Sequence, residues 1–113
     1  MPRFMLLIHG DNASDNSPEE MQRIVEEYIA WARGLRSEGK MVAGDELDER
    51  GKLVRGHGDR VVVSNDPVTE TKEVIGGYFI LDVADEAEAV AVAKACPGLR
   101  RGGAVQVRAV VEH

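Results

Sequence analysis

The sequence predicts an α+β fold, a ferredoxin-like sandwich carrying an additional β-hairpin. Three observations predict it. Two segments, one at each end of the chain, read strand–helix–strand. Both helices open on a side-chain cap and close on glycine or proline, so they are real elements rather than stray apolar periodicity. Between the halves lies a β-branched, glycine-punctuated stretch whose period is that of strands. At 113 residues there is room for one core, hence a single domain spanning residues 1–113.

Arg3 to His9 is an almost continuous apolar run, as expected of a central strand. The polar, glycine-containing stretch 10–16 follows as a loop. Ser17-Pro18-Glu19-Glu20 then opens a helix: Ser17 is the N-cap, Pro18 takes the first helical position, and Glu20 closes a capping box. Met21, Ile24, Val25, Tyr28, Ile29, Ala32 and Leu35 form one apolar stripe at helical spacing, and Gly39 ends it. Met41 to Leu47 reads as a strand, and residues 48–51 as a turn into Lys52–Arg55, predicting a hairpin between these two runs. A second turn, Gly56 to Asp59, leads into the β-branched strand Arg60–Ser64. Val74 to Val83 is the next strand. Asp85 caps the second helix, with Glu88 three residues on, and Pro97-Gly98 end it. Gly103 to Val111 closes the chain as an alternating strand.

Two helices cover one face of such a sheet and leave the other bare. Its apolar residues would form a large exposed patch, so a two-fold homodimer packing sheet on sheet is expected. A net charge of −6 disfavours nucleic acid as a partner, because phosphate binding rests on Lys and Arg. Apolar runs fall well short of the roughly 20 residues that span a bilayer, and the opening apolar run is shorter than a signal core. Cys96 is the lone cysteine, which excludes an intrachain disulfide and fits a cytoplasmic location. Placed before a helix-ending proline, it reads as a small core residue.

The stretch NDPVTETKEVIGGYFI, residues 65–80, carries the most specific signal. A dense charge cluster leads directly into paired glycines and then an apolar strand, an order that packing alone does not require. With the opening FMLLIHGD it resembles the YCII-related family, specifically its DGPF branch, whose signature runs DGPF-x-ETKE-x-x-GG into a strand. The match is close over Glu70-Thr71-Lys72-Glu73 and Gly76-Gly77. It departs at the name-giving tetrapeptide, where Asn65-Asp66-Pro67-Val68 stands and only the proline is kept, so any pocket wall built by the aromatic differs here. The resemblance implies a dimeric α+β barrel, assembled from two copies.

Two clusters are candidate site residues. His9 and Asp11 end the first strand as HGD. A histidine at a strand mouth beside a carboxylate suits a general acid/base with an orienting partner, while a strand-end histidine bonded to a backbone carbonyl is the structural alternative. Glu70, Lys72 and Glu73 lie beside Gly76, where backbone closely approaches a ligand; Lys72 suits an anion or a carbonyl. The same charges equally suit a solvated turn that blocks edge pairing. The three histidines, His9, His57 and His113, lack metal-ligand spacing, so neither metal nor cofactor is expected. The resemblance then implies a cofactor-independent lyase- or isomerase-type enzyme acting on a small anionic substrate in a pocket between the sheets; the residues themselves, not the family, suggest His9 as acid/base, Asp11 orienting it, and Glu70, Lys72, Glu73 and Gly76 binding substrate. The alternatives are a non-catalytic ligand-binding or regulatory interaction module, or a structural dimer.

Overall fold

The computed structural model describes residues 2–10, 17–48, 50–66 and 74–113. In chain order the elements are β1 (Arg3–Gly10), α1 (Pro18–Ser37), β2 (Met41–Glu46), β3 (Gly51–His57), β4 (Arg60–Asp66), β5 (Val74–Asp82), α2 (Glu86–Lys94), a 3-10 turn (Pro97–Arg101) and β6 (Ala104–Ala109). Four strands form one sheet in the order β2-β5-β1-β6, with all three pairings antiparallel. That order, with two helices on one face, is the ferredoxin-like arrangement the sequence predicts.

Both helix starts are set by the residues read as caps. Ser17 Oγ accepts from the Glu20 amide at 3.2 Å, and Pro18 occupies the first turn. Asp85 Oδ1 accepts from the Glu88 amide at 2.9 Å, while the Glu88 carboxylate accepts from the Ala84 amide at 3.3 Å. The bonds to Ser17 and Asp85 each satisfy a donor that the first helical turn cannot satisfy itself, and the Glu88 bond ties the residue before the cap to the helix. At its far end α1 stops at Gly39, whose φ of +74° is costly for any residue with a Cβ.

Strand alternation sorts β1 between the two faces. Phe4, Leu6 and Ile8 are buried toward the helices, where they meet Leu81 of β5, Met41 of β2, Leu35 of α1, and Ala89, Val92 and Ala93 of α2. Leu6 and Leu81 are completely buried, each contributing about 1.5–3 kcal/mol of transfer free energy. Cys96 belongs to the same core, as its position before Pro97 suggested. Met5 and Leu7 point the other way, with their ladder partners Ile80 and Tyr78, and are half-buried on the face that carries no helix.

The hairpin exists but joins different strands from those expected. β3 pairs with β4 over its whole length, from Gly51↔Asp66 to His57↔Arg60, while β2 pairs with β5. The turn chemistry explains the choice. Gly58 and Asp59 make a two-residue loop, Gly58 has φ +61° and Asp59 does not have positive φ, the pattern of a type II′ hairpin turn. β3 and β4 thus form a two-stranded sheet separate from the main one.

Candidate functional site

A cleft of about 720 Å³ lies between α1 and the helix-facing side of the sheet. It arises from two features of the sequence. First, α1 is held down at its C-terminal end, where Leu35 is buried, and stands off the sheet toward its N-terminus: Met21, Ile24 and Tyr28 are half-buried, and Val25 and Ile29 are exposed. Second, the sheet offers glycine where side chains would otherwise fill the gap. Gly77 pairs with Ile8, and Gly44 pairs with Phe79, so both occupy helix-facing ladder positions and both line the cleft.

Close contacts hold these glycines in place. A Cβ at Gly44 would lie 2.3 Å from Cδ1 of Phe79, and one at Gly77 would lie 3.1 Å from the Asp45 carbonyl oxygen. The Phe79 ring thus rests on bare backbone. It stacks nearly parallel to Tyr28, at 6.3 Å between centroids and 8°, and meets Trp31 edge-on at 5.0 Å and 87°. Of these three rings, Tyr28 and Phe79 line the cleft. The Tyr28 hydroxyl reaches across to Cys96 Sγ at 3.5 Å, tying the aromatic wall to the core. Ile24, Val25, Ile29 and Ala32 complete an apolar lining on α1.

The polar groups are few. Arg33 and Arg36, one turn apart on α1, line the cleft, as does Glu46 on β2. Asp45 lines it too, but its carboxylate is committed elsewhere, accepting from the Tyr78 hydroxyl at 2.7 Å on the helix-free face. That bond, and then the carboxylate charge beside it, hold the Tyr78 phenol above its ordinary pKa. Besides Asp45, the charged residues on its border are Arg33, Arg36 and Glu46, around a mostly apolar space. Among the described residues no group of three His, Cys, Asp or Glu side chains is placed to hold a metal ion, and no helix is long and apolar enough to cross a membrane.

The residues singled out from the sequence separate. His9 lines the cleft, yet its imidazole Nε2 lies 3.4 Å from Gln106 Oε1. Gln106 is the ladder partner of Leu7, so the ring is turned to the helix-free face while the backbone borders the cleft. Gly76 also borders the cleft, at a β-bulge: Ile8 pairs with Gly77 and His9 with Ile75, leaving Gly76 as the extra residue. The bulge turns Ile75 onto the face of His9. Asp11, Glu70, Lys72 and Glu73 lie outside the described residues. Sequence reasoning missed Gly44, Gly77, Phe79, Arg33, Arg36 and Glu46 as site residues. The signal for Phe79 and Gly77 was present in β5, since alternation from Leu81 sets both on the helix side; Gly44 follows only from its pairing with Phe79.

Comparison with known proteins gives three findings. No curated protein sequence matches the chain at a significant level. Among solved structures the chain is similar to 5-chloro-2-hydroxyhydroquinone dehydrochlorinase (TftG) from Burkholderia phenoliruptrix AC1100, in complex with 2,5-dihydroxybenzoquinone, at 19% identity, covering 97% of this chain and 94% of that one with a TM-score of 0.49. The model of the YCII-related domain matches residues 2–113, nearly the full length, and the chain therefore belongs to the YCII-related domain family.

Proposed function

We propose that this YCII-related chain binds a small, flat, largely apolar anion in the cleft between α1 and the sheet. The observation that carries the reading is the cleft itself: its volume falls within the roughly 300–1,000 Å³ usual for small-molecule sites, with a glycine floor, an aromatic wall and few polar groups. Arg33 and Arg36 favour a carboxylate or phenolate, since a guanidinium pairs with a planar anion through two parallel hydrogen bonds. The enzymatic form of this reading is cofactor-independent proton transfer of the lyase or isomerase type, with Glu46 as the base bordering the cleft.

A second reading is carried by the orientation of His9. Its ring shares the helix-free face with Leu7, Tyr78 and Ile80. In a sheet-to-sheet homodimer it would lie in the space between subunits and serve there as the acid/base, with Asp11 orienting it, Glu70, Lys72 and Glu73 holding an anionic substrate, and Gly76 at the bulge bordering it. One experiment separates the two. A panel of small aromatic carboxylates and phenols is titrated against wild type, Arg33→Ala/Arg36→Ala and His9→Ala, reading affinity by calorimetry. Cleft binding predicts a loss of tenfold or more in the arginine variant, from roughly 1.5–3 kcal/mol for hydrogen bonds to a charged group, with His9→Ala close to wild type. The reverse pattern selects the space between subunits. Absence of binding by any acid in the panel contradicts both.

A further inference from the structure

We infer that Gly98 is a positioning residue of the cleft: it seats the Tyr28 hydroxyl and so fixes the ring that walls the ligand space. The inference rests on the cleft being the ligand site, and it gives the turn between α2 and β6 a task there. Gly98 lies in the 3-10 turn Pro97–Arg101 and lines the cleft together with Tyr28. It is not among the glycines with positive φ, so backbone conformation does not call for glycine at this position. The position is nevertheless closed to a side chain. A Cβ there would lie 2.3 Å from Tyr28 Oη, 3.6 Å from Tyr28 Cζ and 3.9 Å from Ile8 Cγ2. The tyrosine hydroxyl occupies the notch that the missing side chain leaves.

The turn is built to hold that notch still. Pro97 fixes φ at its first position, and the Gly103 amide donates to the Gly98 carbonyl at 3.2 Å. Gly103 in turn rests on β1, since a Cβ there would lie 2.9 Å from the His9 carbonyl oxygen. Behind the hydroxyl stands the buried Cys96, its Sγ 3.5 Å away. The turn is thus pinned to the sheet, and Tyr28 is pinned to the turn. This gives α1 a second fixed point two turns before the buried Leu35, where the helix has begun to rise from the sheet. From this seat the Tyr28 ring lies parallel to Phe79 at 6.3 Å and edge-on to Trp31 at 6.1 Å. A methyl group at position 98 would meet a side-chain tip, not backbone, so the fold survives and the ring is displaced toward the cleft it lines.

The test is a double-mutant cycle on the full chain, with benzoate as the probe and calorimetry as the readout. Gly98→Ala, with wild-type circular dichroism, is expected to raise the benzoate Kd about tenfold or more. In a Tyr28→Phe background the same change is expected to move Kd by less than about threefold, because the atom it would strike is gone. The ligand-free chain supplies a second readout: Gly98→Ala should shift the ring-proton resonances of Tyr28 and Phe79. Should Gly98→Ala fail to fold, recovery of folding in Gly98→Ala/Tyr28→Phe reads the same coupling, and no recovery overturns the inference. Benzoate binding equal to wild type in Gly98→Ala, an equal loss in both backgrounds, or unmoved ring resonances each overturns it while leaving the cleft as the ligand site. Absence of benzoate binding to the wild type removes the cleft reading, and the inference with it.

Discussion

Replacing Gly44 with alanine gives a prediction whose sign is diagnostic. In an ordinary strand interior this change stabilises by roughly 0.5–1 kcal/mol, because glycine loses more conformational freedom on folding. Here the new methyl would lie 2.3 Å from Cδ1 and 2.9 Å from Cε1 of Phe79, with the Tyr78 carbonyl oxygen at 3.1 Å. Backbone blocks one side, so the Phe79 ring must move. It cannot do so without disturbing the parallel stack on Tyr28 and the edge-on contact with Trp31. Overpacking costs about 1–3 kcal/mol, and each aromatic pair contributes about 0.5–1.5 kcal/mol beyond its burial. These effects overlap, since both come from displacing one ring, so the expected net loss is about 2–3 kcal/mol. Urea unfolding followed by the fluorescence of the single tryptophan, Trp31, reads it directly: the midpoint falls while the slope is unchanged. A double-mutant cycle completes the argument. Gly44→Ala/Phe79→Leu should recover at least half of the loss, because the displaced group is gone. Stability equal to or above wild type in Gly44→Ala, or no coupling to Phe79, would refute the proposed origin of the cleft floor.

Other outcomes follow from single contacts. The raised Tyr78 pKa means the folded state holds its proton more tightly than the unfolded state does; its stabilising contribution is complete below about pH 10, the unfolded value, and is lost as pH rises through the higher folded value. Phenolate absorbance should therefore show one tyrosine titrating late, and Tyr78→Phe should remove that late step. Asp85→Ala removes the 2.9 Å cap on α2 and should cost about 1 kcal/mol in thermal unfolding, with Asp85→Ser recovering most of it. Leu81→Ala, at a completely buried site, should cost about 2–5 kcal/mol in the same assay. A Leu81→Ala loss below about 1 kcal/mol would place the core elsewhere.

What could be read from the sequence depended on whether its cause was local. Ser17 and Asp85 announced both helix starts because a cap is a bond between near neighbours, and the structure contains both bonds. The apolar run of β1 and the order of strands and helices along the chain were enough for a ferredoxin-like sheet. The partner of β3 was misread because apolar runs do not say with whom they pair; the II′ turn at Gly58-Asp59 made that decision. The cleft was the least legible feature. It rests on side chains that are missing, at Gly44 and Gly77, and on a helix that leans from its Leu35 end, and a composition or a motif registers neither. Gly76 was singled out as the ligand-facing glycine; the ladder gives it the bulge and gives its neighbour Gly77 the floor. His9 is a subtler case. Its position marked a strand mouth and assigned it no face, and the contact with Gln106, the ladder partner of Leu7, sets its ring on the helix-free face.

The most direct measurement of the central claim is a map of amide chemical-shift changes as a small aromatic carboxylate is titrated into the isotopically labelled chain. Cleft binding predicts the largest changes at Tyr28, Ala32, Gly44, Gly77 and Phe79, with Met5, Leu7 and Gln106 left nearly still. Changes centred instead on Leu7, His9 and Gln106, with Gly44 and Gly77 silent, would contradict it.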